Sequence, residues 1–108
     1  MKIYIAGRIT GDPGYREKFN AAAEALAGEG HTVLNPATLP DGLSRAEYMQ
    51  ICFQMIFAAD RVVFLTDFIE SKGAMLEYSL CNYIGKEMEF PLRTIVKYAN
   101  TVTWLKEN

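Results

Sequence analysis

This sequence has little of what metal sites and histidine-dependent active sites require. It contains one histidine, His31, and two cysteines, Cys52 and Cys81, which form no CxxC pair and are joined by no histidine-rich segment. These residues lack the spacing of a metal site, and no serine or cysteine pattern completes a nucleophilic triad with His31. We therefore predict no metal ion and no cofactor.

Runs of charge and long apolar runs are also missing. The 11 lysines and arginines are scattered and the net charge is -2, which argues against a surface for nucleic acid or for an anionic membrane. No apolar run approaches the roughly 20 residues of a membrane span, and the apolar run within residues 1–7 is too short for a signal peptide. We expect a cytoplasmic protein with reduced thiols whose partner is a small molecule or another protein chain.

What is present is a regular alternation of strand and helix patterns. With 108 residues, half of them hydrophobic, the chain can build one core, so we assign residues 1–108 to a single domain. Strands are predicted over residues 3–6, 31–34, 61–66 and 92–97, and helices over 15–27, over 44–59, from Lys72 onward, and in a short closing segment with Trp104 and Leu105. This order predicts an α/β fold, a three-layer, flavodoxin- or Rossmann-like parallel sheet of four to five strands with helices on both faces.

The loops that follow the predicted strands are the candidate binding region, because parallel sheets bind ligands beyond the carboxyl ends of their strands. These loops are residues 7–11, Asn35 with Pro36, and residues 67–73. Gly7 and Gly11 flank a turn that could offer backbone N–H groups and Arg8 to an anion, although it is neither a Walker loop nor a GxGxxG fingerprint. Conformational need alone also explains the glycines, and Ser71 caps the following helix with or without a ligand.

Glu77 occupies an unusual position in the helix that begins near Lys72. At helical spacing it shares a face with Leu80, Cys81 and Ile84, which is the side expected to face the core. A charged carboxylate against apolar neighbours costs several kcal/mol unless it is paired or hydrogen-bonded. Glu77 therefore has either a structural ion-pair partner or a function at the edge of a cleft.

The second predicted helix, residues 44–59, carries no charge from residue 48 to residue 59. Its apolar residues surround most of the helix, and one sheet face cannot cover all of them. Such a helix lies either in the centre of a large core or in a subunit interface. We predict a homo-oligomer, a dimer or higher, that forms through this helix.

Five segments of the chain form a recognisable set: Ile3-Tyr4-Ile5-Ala6-Gly7, Phe19-Asn20-Ala21-Ala22-Ala23, Gly30-His31-Thr32-Val33-Leu34-Asn35-Pro36-Ala37, Ala59-Asp60-Arg61-Val62-Val63-Phe64-Leu65 and Ser71-Lys72-Gly73-Ala74-Met75-Leu76-Glu77. Together they resemble the nucleoside 2-deoxyribosyltransferase-like superfamily, and most closely its small DUF4406 branch. The resemblance implies that Glu77 is a nucleophile that attacks the anomeric carbon of a 2'-deoxynucleoside or its 5'-monophosphate. The sugar then passes to another base or to water, which makes the protein a transferase or an N-glycosidase.

The resemblance also implies further site residues. A serine six residues before the glutamate binds phosphate in the nucleotide hydrolases of the superfamily, and this chain has Ser71 there. Many relatives carry an acidic residue in the second helix where this chain has Cys52, so Asp67 is the candidate for the missing acid. The remaining substrate-binding candidates are Gly7, Arg8, Ile9, Thr10, Asn35, Phe68 and Gly73.

Two other hypotheses stay open at this point. A non-catalytic module could keep the cleft for a nucleotide after losing its proton donor, as Cys52 would allow. Alternatively, the chain could be an oligomeric scaffold in which Glu77 pairs with a cation such as Arg8. The three hypotheses differ in whether a nucleotide is cleaved, only bound, or ignored.

Overall fold

The computed structural model describes residues 1–91, and the structural statements that follow concern that part of the chain. Four strands and three helices alternate along it: β1 (Lys2–Ala6), α1 (Tyr15–Gly28), β2 (Thr32–Leu34), α2 (Arg45–Ala58), β3 (Arg61–Phe64), α3 (Lys72–Ile84) and β4 (Glu87–Glu89). Short 3-10 turns at Pro36–Thr38 and Phe68–Glu70 follow β2 and β3. These bounds agree closely with the predicted elements up to α3.

The four strands form one parallel sheet in the order β2-β1-β3-β4. In the centre of the sheet, Ile3 of β1 aligns with Arg61 of β3 and Ala6 aligns with Phe64. The predicted α/β architecture, a parallel sheet between helical layers, is confirmed. Because β1 and β3 are the inner strands, the loops that follow them lie next to each other at the carboxyl end of the sheet.

The two faces of the sheet have separate cores, and the alternation of side chains along β1 divides them. Ile5 packs with Phe19 of α1 on one face. Tyr4 and Ala6 point to the other face, where they pack with Cys52 of α2 and Cys81 of α3. Tyr4 is therefore oriented by the strand toward the two helices that follow the binding loops.

Both helices at this face begin with a serine cap, as predicted. Ser44 and Glu47 form a reciprocal capping box at the start of α2, and the Ser71 hydroxyl accepts a hydrogen bond from the Ala74 N–H at the start of α3. Such caps satisfy backbone donors that the first helical turn leaves unpaired. Gly85 ends α3 in the left-handed conformation, with φ 73°, which glycine adopts without a steric penalty.

The strand β4 is the one described element that the sequence analysis missed. Its three residues, Glu87, Met88 and Glu89, carry a charge pattern that is untypical of a buried strand. The structure explains them, because β4 lies at the sheet edge and its two glutamates pair with Arg61 of β3, at 2.7 and 3.8 Å. The strand predicted over residues 92–97 and the closing helix with Trp104 and Leu105 lie outside the described residues.

No helix within residues 1–91 combines the length and apolar character needed to cross a membrane. Cys52 and Cys81 are both buried and both unbonded as thiols.

Candidate functional site

A cleft of about 870 Å³ lies at the carboxyl end of the sheet. Its walls are the β1–α1 loop, the segment before α2, and the first turns of α2 and α3. The volume is within the usual range for small-molecule sites. The cleft thus lies where the strand order predicts a ligand, between the ends of the two inner strands and the start of the two capped helices.

Glu77 lies in the wall of this cleft, one and a half turns into α3. It belongs to the buried face of the helix together with Ala74, Tyr78 and Cys81, and only 5% of its surface is exposed. No ion pair reaches Glu77 from the rest of residues 1–91, so the cationic partner that the scaffold hypothesis requires is not found there. Its hydrogen-bond donor is the hydroxyl of Tyr4, and this hydrogen bond is short.

Burial raises the pKa of Glu77 to about 7, from an ordinary 4.5, while the hydrogen bond from Tyr4 opposes the rise. Within residues 1–91, no charged group is among the causes of the shift. A carboxyl group with this pKa changes its ionisation at neutral pH, which is a frequent property of groups that take part in catalysis.

Tyr4 is a site residue that the sequence analysis missed. In the sequence it is indistinguishable from a core residue of an apolar strand, and it is indeed 1% exposed. Its hydroxyl nevertheless lines the cleft beside Glu77. The available signal was the period of two in β1, which directs Tyr4 to the same face of the sheet as α3.

Two further groups belong to the surroundings of Tyr4 and Glu77: Tyr48, which lines the cleft, and Cys52, which is buried in the same core cluster as Tyr4. The Tyr48 hydroxyl donates to the Pro36 carbonyl at 2.9 Å, and burial raises the pKa of this phenol well above its ordinary value, which favours the neutral form. Burial likewise raises the pKa of the Cys52 thiol to about 12, while the hydroxyls of Tyr4 and Tyr48 oppose this rise. Neither group is an effective acid at neutral pH.

Two carboxylates, Asp41 and Glu70, are among the lining residues of the cleft, and three cations define what we call its opening: Arg8, Arg45 and Lys72. All three residues line it, and no carboxylate within residues 1–91 forms an ion pair with any of them. Within the described part of the chain, the Arg8 guanidinium donates to the Thr10 carbonyl, at 3.4 Å. Arg45 and Lys72 begin α2 and α3, so the positive ends of two helices point to the same opening.

Most of the predicted site residues line this one cleft: Gly7, Arg8, Ile9, Thr10, Ser71, Gly73 and Glu77. At two of these glycines the packing leaves little room for a side chain. A Cβ atom at Gly7 would lie 3.0 Å from the Leu65 side chain, and one at Gly73 would lie 3.3 Å from Cε of Met49. These glycines let the loop and α3 approach their neighbours closely.

Three predicted site residues do not line the cleft. Phe68 is fully buried in the core. The Asn35 side chain accepts from the Ala37 N–H and donates to Asn20, so it shapes the turn after β2. The Asp67 carboxylate accepts from the Arg8 N–H at 3.1 Å and binds the Lys18 ammonium closely.

The described residues contain no group of three or more His, Cys, Asp or Glu side chains that could hold a metal ion.

The family model for DUF4406, a domain of unknown function, matches residues 1–90. Among curated proteins, none matches the chain.

Proposed function

The chain belongs to the DUF4406 family, a domain of unknown function, and we propose that it cleaves or transfers the N-glycosidic bond of a 2'-deoxynucleoside or its 5'-monophosphate. In this reaction Glu77 is the nucleophile. The resemblance to the nucleoside 2-deoxyribosyltransferase-like superfamily motivates this substrate class. The residues of the cleft provide the independent support that follows.

The observation that carries the proposal is the environment of Glu77. A carboxylate that is 95% withdrawn from solvent without a cationic partner is costly for the fold. A purely structural role would leave that cost uncompensated. A substrate whose transition state carries positive charge would instead be stabilised by the buried carboxylate. When the base departs from a 2-deoxy sugar, the transition state is oxocarbenium-like and the sugar develops that positive charge.

In the proposed reaction, an ionised Oε atom of Glu77 forms a bond to the anomeric carbon as the bond from that carbon to the base nitrogen breaks. The electron pair of the broken bond leaves with the base, which takes its proton from water in the open cleft. Water, or a second base, then attacks the same carbon and regenerates the carboxylate. Tyr4 holds the Glu77 carboxylate by one hydrogen bond and orients the second oxygen toward the substrate.

The opening of the cleft supports a phosphorylated substrate. Arg8, Arg45 and Lys72 have no carboxylate partner within residues 1–91, and Ser71 lies among them at the start of α3. Arginine, lysine and helix N-termini are common ligands of phosphate. We therefore favour the 5'-monophosphate over the free nucleoside.

The test is chromatographic detection of free base after incubation with a panel of 2'-deoxynucleosides and their 5'-monophosphates. Wild type should release a base from at least one compound, and Glu77→Gln should release none. Ser79→Ala serves as the matched control, since Ser79 is an exposed polar residue of α3 whose hydroxyl donates only to its own helix. Loss of base release in that control would mean that the assay reports damage to the helix and not the loss of a nucleophile.

A second candidate, a nucleotide-binding module without turnover, is favoured by one specific observation. Apart from Glu77 itself, the described groups around Glu77 offer no acid for the departing base, because burial raises the pKa values of Cys52, Tyr4 and Tyr48. This module would bind a deoxynucleoside monophosphate saturably in calorimetry and release no base from it. A folded protein with that behaviour replaces the enzymatic proposal.

We also propose that the chain forms a homo-oligomer. The described apolar residues most exposed to solvent are on α2 and α3, with Phe57 at 52%, Leu76 at 56% and Tyr83 at 91%. The interface predicted for α2 alone thus extends to α3. Sedimentation of the wild type and of Tyr83→Ser tests it, and a wild type that sediments as a monomer rejects it.

A further inference from the structure

Lys18, in the first turn of α1, connects three segments at the edge of the cleft. Its ammonium donates to the Arg8 carbonyl at 2.9 Å, to Asp12 Oδ2 at 2.7 Å and to Asp67 Oδ2. Only 27% of the lysine side chain is exposed, and 26% and 21% of the two aspartates. These are half-buried contacts, which solvent screens less than it screens a surface ion pair.

Asp67 completes a closed set of contacts around one residue. While its Oδ2 atom binds Lys18, its Oδ1 atom accepts from the Arg8 N–H at 3.1 Å. The N–H of Arg8 is thus held by Asp67 and its carbonyl by Lys18. Both backbone polar groups of a cleft residue are fixed by a single ion pair whose members are 49 positions apart in the sequence.

The fixed residue is the one that presents a cation to the cleft. The Arg8 guanidinium follows the loop, with Nε donating to the Thr10 carbonyl and Nη2 lying 3.0 Å from where a Gly11 Cβ would stand. The loop closes with a hydrogen bond from the Asp12 N–H to the Ile9 carbonyl, at 3.1 Å. Its conformation, and with it the direction of the guanidinium, depends on the anchor at Arg8.

We propose that Lys18 and Asp67 form a clamp that fixes the Arg8 loop in its ligand-binding position, so that Asp67 is a positioning residue for the substrate and not the acid of the reaction. The clamp joins the loop after β1 to the loop after β3, and the second of these leads through Phe68–Glu70 into α3. The ligand-binding role rests on the proposed function, whereas the clamp itself does not.

The first test is amide hydrogen exchange of the ligand-free protein, which needs no substrate. Lys18→Met and Asp67→Asn should each speed amide exchange across residues 8–12 by about tenfold. Both variants remove the Lys18–Asp67 ion pair that holds the Arg8 loop, so the loop should open locally more often. The effect of the double variant should be smaller than the sum of the two single effects, since Lys18 and Asp67 share an ion pair although each also contacts the Arg8 backbone directly.

The chain offers a matched control at the opposite end of β1. Lys2 and Asp60 also form a lysine–aspartate pair, at 3.8 Å, and Asp60 also accepts a backbone N–H, from Lys2 at 2.7 Å. Lys2→Met and Asp60→Asn repeat the same substitutions away from the cleft and should leave exchange across residues 8–12 unchanged. If Lys18→Met does not fold, the isosteric Asp67→Asn alone carries the test, and unchanged exchange in it overturns the clamp.

The second test separates positioning from acid catalysis. On a deoxynucleotide that the wild type cleaves, both Lys18→Met and Asp67→Asn should raise KM several-fold and leave kcat within about threefold, and Lys18→Arg should restore part of the KM. A collapse of kcat in Asp67→Asn alone would make Asp67 the acid and overturn the proposal. If the wild type cleaves nothing, the proposed function fails, while the exchange result still decides whether the clamp exists.

Discussion

Glu77 and Asp67 lie ten residues apart, Asp67 in the loop that follows β3 and Glu77 in the α3 helix to which that loop leads, and their surroundings are opposite in character. Asp67 receives a lysine ammonium and a backbone N–H. Glu77 receives a single neutral hydroxyl and is the more deeply buried of the two. The sequence alone made both of them catalytic candidates.

Under the proposed function, this difference favours Glu77 over Asp67 as the carboxylate that takes part in the reaction. A carboxylate that is neutralised by an ion pair and fixed by two donors serves the architecture of the site. One that is desolvated without a counter-charge has a raised pKa and gains most from a substrate that becomes positive. The predictions below are intended to strengthen or to abolish this contrast.

The largest expected effect is the loss of base release on removing the Glu77 charge. Glu77→Gln keeps the shape of the side chain and an acceptor for Tyr4, but it cannot form a glycosyl ester, so the rate should fall by about a thousandfold or more. Steady-state kinetics on the best substrate measures this change. Asp67→Asn should lose far less in kcat, and equal losses in the two variants would remove the contrast.

The second effect concerns stability and depends on pH. The Glu77 carboxyl has a pKa of about 7 in the folded chain and 4.5 as its ordinary value, so both states are protonated below pH 4.5. Between these values the unfolded chain loses its proton first, and folding stability falls by about 3 kcal/mol in all before it levels off above pH 7. Glu77→Gln should therefore be more stable than wild type at pH 8.

Denaturant unfolding of both proteins at pH 4.5 and at pH 8 measures this effect. The comparison with Glu77→Gln isolates Glu77 from carboxyls such as Asp12 and Asp60, whose lowered pKa values give the opposite dependence. If the difference in stability between the two proteins stays the same at both pH values, Glu77 is not a desolvated carboxyl in solution.

Tyr4→Phe gives the third effect. Loss of the hydroxyl removes the hydrogen bond that, among residues 1–91, lowers the pKa of Glu77, so the acid limb of the pH–rate profile should move from about pH 7 to higher pH. The rate at neutral pH should drop by about ten- to a hundredfold, from this shift and from lost orientation. A profile that keeps its position would show that Tyr4 acts only in packing.

The smallest effect belongs to the opening of the cleft. Arg45→Gln and Lys72→Gln should each weaken binding of the favoured monophosphate by about threefold to tenfold, since each removes one exposed cation near the phosphate. Binding of the corresponding nucleoside should not change, because it carries no phosphate. Calorimetry with the two ligands makes the comparison, and equal losses for both would argue against a phosphate at this opening.

The sequence was sufficient for the features that depend on local pattern. Strand alternation and the serine caps predicted the sheet, the start of α2 and α3, and the inward face of Glu77. It was insufficient for contacts between distant segments. The carboxylate of Asp67 and the ammonium of Lys18 meet because β1 and β3 are neighbouring strands. Tyr4 cannot be distinguished from an ordinary core residue in the sequence, and its contact with Glu77 is visible only when α3 is packed against β1.

The role of Glu77 can be tested most directly by trapping its covalent intermediate. A 2'-deoxy-2'-fluoro-arabino analogue of the favoured substrate slows hydrolysis of a glycosyl ester, because fluorine destabilises the oxocarbenium-like transition state. Peptide mass spectrometry after quenching should show one added sugar on the peptide that contains Glu77, and no addition in Glu77→Gln. Release of base with the sugar on another residue, or with no adduct at all, would contradict the assignment of Glu77 as the nucleophile.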